Sequence, residues 1–274
     1  MTSRHPAIVR VVCPVPGVGL AYTQRGLNAS ACASAGYSPP PYSAFNLGLH
    51  VGDDPAAVHA NRQTLEQALG AKPFWLQQVH GTRVIRVEEE NPSDVQLQDG
   101  LGPKADASVS TLIGHACAIL TADCLPVLMA SGNGRVVGGA HAGWRGLANG
   151  VIESLIDAMQ AASPEDCASG LWVWLGPCIG FDQFEVGEEV VAALKANQAA
   201  DVDFKPSPAG RWLADMPQIA GRQISLALAA RGLRGIEIRN EAACTFSNPS
   251  AFYSYRREPK TGRMAALIWR TGDQ

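Results

Sequence analysis

The stretch Thr121–Gly150, TADCLPVLMASGNGRVVGGAHAGWRGLANG, decides how the chain reads. It opens on an acid beside a thiol, Asp123 and Cys124. An apolar run follows, then a Gly/Asn turn, then a second apolar run ending in His141. Two such runs joined by a turn predict paired strands. HAGWRG then leads into a helical pattern from about Trp144 to Gln160, where Leu147, Val151, Leu155 and Met159 recur at helical spacing and form one apolar stripe. Strand ends hold side chains rigidly over a crevice, so a thiol and an imidazole at such ends form a candidate site.

Upstream, VRVV and GLAYTQ within residues 7–24 read as strands across a Pro/Gly turn. Residues 25–45 are rich in Ser, Ala, Gly and Pro and predict a loop. Asp53 or Asp54 caps a helix that begins at Pro55 and runs to Leu69, with Val58, Leu65 and Leu69 on one face and Gly70 ending it. FWLQQVHGTRVIRVEE, residues 74–89, reads as two strands bent at His80. Residues 90–104 form a polar loop, and ADASVST precedes the apolar run ACAIL. Downstream, LWVWLGP is a strand of buried type, Val186–Leu194 a helix, and Asp215–Ala230 another, stopped by Gly232. GIEIRN, FYSYRRE and MAALIWR close the chain as strands. Strands outnumber helices, yet helices lie between them, so the expected fold is α+β (mixed α/β), a mixed β-sheet with flanking helices over residues 1–274 as one domain.

Composition narrows the function. With 46% apolar and 17% charged residues in 274, the chain has material for a sizeable core. A net charge of -3 offers no basic footprint for nucleic acid or for a membrane surface. The N-terminus lacks a signal-peptide apolar region, and the most apolar window, 112–130, is broken by His115, Asp123 and Pro126. Seven scattered cysteines suit reduced thiols in a cytoplasm.

His80, Cys124 and His141 stand out, each at the end or bend of an apolar run. Borderline-soft zinc accepts thiolate and imidazole, and three protein ligands leave a fourth position open, as in catalytic sites. Spacing alone does not separate this from two rivals. Cys124 is equally a candidate nucleophile with His141 as its base, or a small buried hydrophobe beside hydrogen-bonded histidines. Asp123 is a poor partner for such a base on a regular strand, because adjacent residues there point to opposite faces. HAGWRG reads either as an anion site, with Arg145 beside a helix start, or as a tight turn with a surface arginine. Arg256 and Arg257 suit an anion or a stacked base, although a solvated strand end is the commoner reading. Asn46 and Arg62 carry no signal of their own. His5, His50, His59 and His115 read as structural or exposed.

NLGLHVGDD, LQQVHG, ADASVST, TADCLPV, HAGWRG, WLGPCIG with FEVG after it, and FYSYRRE with TGRMA, in this order over about residues 43–269, resemble the YfiH family. That family is also named peptidoglycan editing factor or multicopper polyphenol oxidase (laccase). It is similar in fold to the catalytic domain of cytotoxic necrotizing factor. The resemblance implies a zinc-dependent purine nucleoside phosphorylase acting on adenosine, inosine, guanosine or methylthioadenosine, with adenosine deaminase activity. It implies His80, Cys124 and His141 as ligands of one Zn²⁺ per chain, with Cu²⁺ as a substitute. Asp123 becomes the candidate proton shuttle; Arg145, Arg62, Asn46 and Arg256 become candidates for holding nucleoside and phosphate. The implied partners are those two substrates; the charge argues against nucleic acid and membrane, and a monomer is expected although the sequence does not fix the oligomeric state. The alternatives are a peptidoglycan-precursor amide hydrolase using Cys124 and His141, and a copper-dependent polyphenol oxidase. The extended, Ala/Pro-rich 25–45 segment departs from the family pattern, as does the thiol of Cys178.

Overall fold

The computed structural model describes residues 5–26, 38–90 and 100–272. The strands are β1 (Ile8–Val11), β2 (Val18–Thr23), β3 (Lys72–Phe74), β4 (Val84–Arg86), β5 (Ala107–Ser110), β6 (His115–Thr121) and β7 (Leu125–Ser131). They continue with β8 (Val137–Ala142), β9 (Leu171–Leu175), β10 (Glu185–Val186), β11 (Phe204–Pro206), β12 (Trp212–Ala214), β13 (Gly235–Asn240) and β14 (Met264–Arg270). The helices are α1 (Pro55–Leu69), α2 (Trp144–Asn149), α3 (Val151–Ala162), α4 (Pro164–Cys167), α5 (Glu188–Ala196) and α6 (Met216–Ala230).

Two mixed sheets organise the molecule. One has the order β1-β2-β14-β6-β3 and the other β13-β9-β7-β8-β5-β4, with a small β10-β12-β11 sheet beside them. Their strands alternate between two cores. On β6, Cys117 and Ile119 face the core shared with Leu128, Trp172 and Trp174 of the other sheet. Ala116, Ala118 and Leu120 face Leu65 and Leu69 of α1 instead. On β7, Val127 and Met129 pack against α3 and α6 while Leu128 and Ala130 face the opposite sheet. The result is helix, sheet, sheet, helix in layers. Both faces of these strands are covered, which is why they read as unbroken apolar runs.

The glycine pair in VVGGAH fits this sandwich. A side chain on Gly138 would meet Leu155 of α3 at 2.9 Å, and one on Gly139 would meet Leu128 at 2.9 Å and Ile119 at 3.1 Å. One glycine seats the helix on β8 and the next seats the second sheet.

Most element readings hold. Asp54 caps α1 by accepting from the Ala56 N–H at 2.9 Å, and Asp215 caps α6. Two corrections are physical. The helix expected from Trp144 to Gln160 is broken at Gly150, whose φ of 89° is left-handed, so the pattern is divided into α2 and α3. FYSYRRE is not a strand. The Arg257 guanidinium donates to the carbonyls of Thr245, Phe246 and Phe252 and folds the segment into turns. Residues 27–37 of the predicted 25–45 loop and 91–99 of the predicted 90–104 loop lie outside the described residues. Among those described, no helix is long and apolar enough to cross a membrane.

Gly139→Ala should cost roughly 1–3 kcal/mol, the range for overpacking a close-packed core. A urea midpoint unchanged from wild type would show that the two sheets do not press on this position.

Candidate metal centre

Two crossings between the sheets build the site. Residues 75–83 lead from β3 in the five-stranded sheet to β4 in the six-stranded one, and residues 122–124 lead from β6 to β7 in the same sense. His80 lies on the first crossing and Cys124 on the second. His141 stands near the end of β8, opposite Pro126. The donor atoms of the three lie within 4.8 Å of one another, and Cys124 Sγ is 3.8 Å from His80 Nε2. His80 is exposed, Cys124 half-buried and His141 buried.

Each crossing is locked by a carboxylate. Asp106, fully buried just before β5, accepts at Oδ2 from the Val79 and Gly81 N–H groups at 3.1 and 2.7 Å. Its Oδ1 accepts from the His80 N–H and faces His141 Nδ1, both at 2.9 Å. Three successive N–H groups on one carboxylate hold His80 at a left-handed φ of 60°, a conformation uncommon for a non-glycine residue. The ring bond fixes the His141 tautomer and leaves Nε2 for the cluster. Burial alone would raise the Asp106 carboxyl, but His141 and these N–H groups hold it below the usual range.

Asp123 does the same for Cys124. Its φ is 98°, so the chain does turn here. Its buried carboxylate accepts from Thr245 Oγ1 at 2.6 Å, Ser254 Oγ at 3.0 Å and the Arg256 N–H at 2.7 Å. These bonds aim Cys124 at the histidines. They also occupy the Asp123 carboxylate away from the residues that line the pocket. Gly143 closes the approach from α2. A side chain there would sit 3.0 Å from Cys124 Sγ and 3.1 Å from the His80 ring.

The electrostatics are those of an ion pair. Burial pushes the Cys124 thiol up, but the His141 charge and hydrogen bonds from His141 and His80 prevail and bring it to about 6. Burial lowers His141, but the Cys124 thiolate and Asp106 prevail and raise it to about 9. A ready thiolate and two imidazoles suit zinc or copper. Tetrahedral zinc, with bonds of about 2.3 Å to sulfur and 2.0 Å to nitrogen, sets those donors roughly 3.5 Å apart, close to the separation here. The donor set therefore fits a metal. It is the one group of three or more such donors among the described residues.

The cluster opens on a cavity of about 170 Å³ lined by His50, Gln78, His80, Leu120, Thr121, Ala122, Cys124, His141, Tyr255 and Arg263. None of the expected substrate residues is in that lining. Arg145 is exposed, its guanidinium 4.3 Å over the Trp144 ring. Arg62 is buried against Trp75, donates to the Leu47 and Gly100 carbonyls, and is lowered by burial to about 9. Arg256 donates to the Glu185 carbonyl. Asn46 bonds Gly48, Asp53 and the Arg263 N–H. Sequence reasoning missed Asp106, Gln78, His50, Tyr255 and Arg263. All lie outside the strands and α-helices, in loops or turns without periodicity (His50 in a single 3-10 turn), and only the quoted motifs held a signal for any of them.

These features define the class: an α+β protein of two facing mixed sheets with a His/Cys/His centre at their shared end. The chain belongs to the YfiH family. Residues 29–271 match the family described as multi-copper polyphenol oxidoreductase laccase. It is 45% identical to a protein of Pseudomonas aeruginosa named purine nucleoside phosphorylase, over 86% of this chain and 90% of that one. It is 42% identical to purine nucleoside phosphorylase YfiH of Escherichia coli, over 88% and 93%. Among solved structures it is similar to YlmD of Geobacillus stearothermophilus, with a TM-score of 0.84, 27% identity and 98% coverage of both chains. A Neisseria meningitidis protein matches with a TM-score of 0.80 and 38% identity over 97% of this chain and all of that one.

In chelator-treated protein, alkylation of Cys124 should rise through a midpoint at about pH 6, because the thiolate is the nucleophile and is present above its pKa. His141→Ala removes the opposing charge and should move the midpoint up toward about 8.5; an unshifted midpoint would contradict the ion pair. Asp106→Asn turns an amide NH₂ toward backbone donors and should weaken zinc binding roughly 10–100-fold in competition with a chelating dye. Unchanged affinity would remove Asp106 from the support of His141.

Proposed function

We propose that this chain is a zinc-dependent purine nucleoside phosphorylase. It would release the base from adenosine, inosine, guanosine or methylthioadenosine with inorganic phosphate, and deaminate adenosine. The observation that carries the reading is the His80–Cys124–His141 triangle opening on a pocket with one arginine and one exposed phenol ring. The relatives named purine nucleoside phosphorylase support the substrate class.

Zinc held by these three side chains would supply Lewis acidity and an acidified water. The remaining work falls to the chain. Arg263 Nη1 donates to the Thr261 and Gly262 carbonyls, which leaves the rest of its guanidinium fork for an anion such as phosphate. Asn46 holds the Arg263 backbone at 2.8 Å and so fixes that fork from behind. Tyr255, 56% exposed at the rim, offers a face for the base. His50 is lowered to about 4 by burial and by neighbouring Arg263 and Arg62. It is therefore neutral at pH 7 and contributes a hydrogen bond to nucleoside rather than a charge. In phosphorolysis a phosphate oxygen attacks the ribose C1′ as the bond to the purine breaks, and the departing base takes a proton.

A second reading rests on the ion pair itself. A thiolate at about 6 beside a protonated His141 is also the resting state of a cysteine nucleophile. That chemistry would serve an amide hydrolase on peptidoglycan precursors. A copper polyphenol oxidase draws less support, since dioxygen reduction to water takes several coppers and the described residues form one donor cluster.

Zinc-loaded protein given adenosine or inosine should yield free base and ribose 1-phosphate only when phosphate is present. Turnover should fall to background in His80→Ala, and Arg263→Ala should raise the KM for phosphate at least tenfold. If every purine nucleoside stays intact while a muropeptide precursor is cleaved, the cysteine hydrolase replaces the phosphorylase.

A further inference from the structure

A second pair of thiols meets beside β9 and β13, which run parallel. Cys178 follows the first strand and Cys244 the second, and they face each other as an isolated parallel bridge. The Cys178 N–H donates to the Ala243 carbonyl at 3.3 Å, and the Thr245 N–H donates to the Cys178 carbonyl at 2.9 Å. Neighbouring strands lie about 4.8 Å apart, within the roughly 4.4–6.8 Å between Cα atoms that a disulfide spans. Both thiols are free.

Their surroundings differ in a way that assigns roles. The Cys244 sulfur is half-buried and accepts from the Gly180 N–H at 3.2 Å and the Ser247 N–H at 3.4 Å. Burial pushes this thiol up, but the Ser247 side chain and the Ser247, Gly180 and Phe246 backbone donors prevail and hold it below its ordinary value. Cys178 is buried, and burial raises it well above its ordinary value. Burial likewise raises Cys13 and Cys167 to about 11 and Cys117 to about 12. Among described thiols outside the metal centre, Cys244 alone is turned toward the thiolate. It faces a cavity of about 180 Å³ lined also by Cys178, Phe181 and Asp215, ample for a molecule little larger than water, whose share of liquid volume is about 30 Å³. Gly180 keeps the sulfur open, since a side chain there would sit 3.1 Å from it.

We propose that Cys244 and Cys178 form a hydroperoxide-oxidised thiol pair, with Cys244 attacking and Cys178 resolving. The Cys244 thiolate attacks one peroxide oxygen. The S–O bond forms as the O–O bond breaks, and the second oxygen leaves with the electron pair and takes a proton as water or alcohol. Sulfur is oxidised to the sulfenic acid and the peroxide is reduced. Cys178 then loses its proton and attacks the Cys244 sulfur. The S–S bond forms, the S–O bond breaks, and the departing hydroxide takes that proton as water. The disulfide would join the two segments that hold Asp123, because the Ile179 N–H donates to its carbonyl at 2.9 Å and Thr245 to its carboxylate at 2.6 Å. Oxidation thus stiffens the backing of Cys124.

The test treats zinc-loaded protein with hydrogen peroxide, blocks free thiols, and maps the digest by mass spectrometry without reduction. A linked Cys178–Cys244 peptide that dithiothreitol removes is expected. A 1,3-diketone trap should label Cys244 in Cys178→Ser and, should that buried change unfold the protein, in Cys178→Ala, with melting curves reporting the fold. The linked peptide should vanish in Cys244→Ser. Oxidation confined to Cys124 or Cys13, or diketone label on Cys178 in Cys244→Ser, overturns the proposal.

Discussion

The Asp106 carboxylate is the constraint on which the centre depends. It gathers three backbone N–H groups of the 79–81 crossing and one ring nitrogen of β8 onto a single buried group. Without its charge, three N–H donors would converge on one another and His80 would relax from its left-handed conformation. The bond to His141 would go as well, and with it the orientation of the buried imidazole. One residue thus sets two of three donors. Its own desolvation is offset because every lone-pair direction it presents meets a donor.

Asp123 repeats this device on the neighbouring crossing. A left-handed aspartate, held by a threonine, a serine and a backbone N–H, turns the chain so that the next residue faces the histidines. The donors to Asp123 come from residues 245–256, the segment that the Arg257 guanidinium folds over on itself. The C-terminal part of the chain therefore supports Cys124 through Asp123, and its Tyr255 and Arg263 line the same cavity as the three donors. Backbone strain at His80 and Asp123, bordering the same cluster, is the pattern expected where surrounding structure over-determines a functional geometry.

The layering explains how the turns that carry the donors are held in place. Both crossings leave strands that are covered on two faces, so the turn ends cannot drift. Gly138, Gly139 and Gly143 let α3, the second sheet and the cluster approach β8 and α2 at closer range than any side chain permits. The pocket is built from segments far apart in the chain, with His50, Gln78 and Arg263 arriving from three different loops or turns.

Much was legible in the sequence because it was local. The α1 caps, the stripe of α3, the paired runs of β7 and β8 and the terminal β14 all follow from periodicity and turn chemistry over a few residues. His80, Cys124 and His141 stood out as soft donors at strand ends, but their spacing of 44 and 17 residues carried no distance, and only the family motifs joined them. The tertiary structure decided what depended on partners remote in sequence. It placed Asp106 under His141, 35 residues away, and Thr245 on Asp123, 122 residues away. It took Arg145, Arg62 and Asn46 out of the pocket lining and brought Arg263 in. A buried arginine bonding carbonyls and an arginine facing a cavity are the same letter in a sequence. What separates them is the packing around each guanidinium, and that exists only when the two sheets have closed.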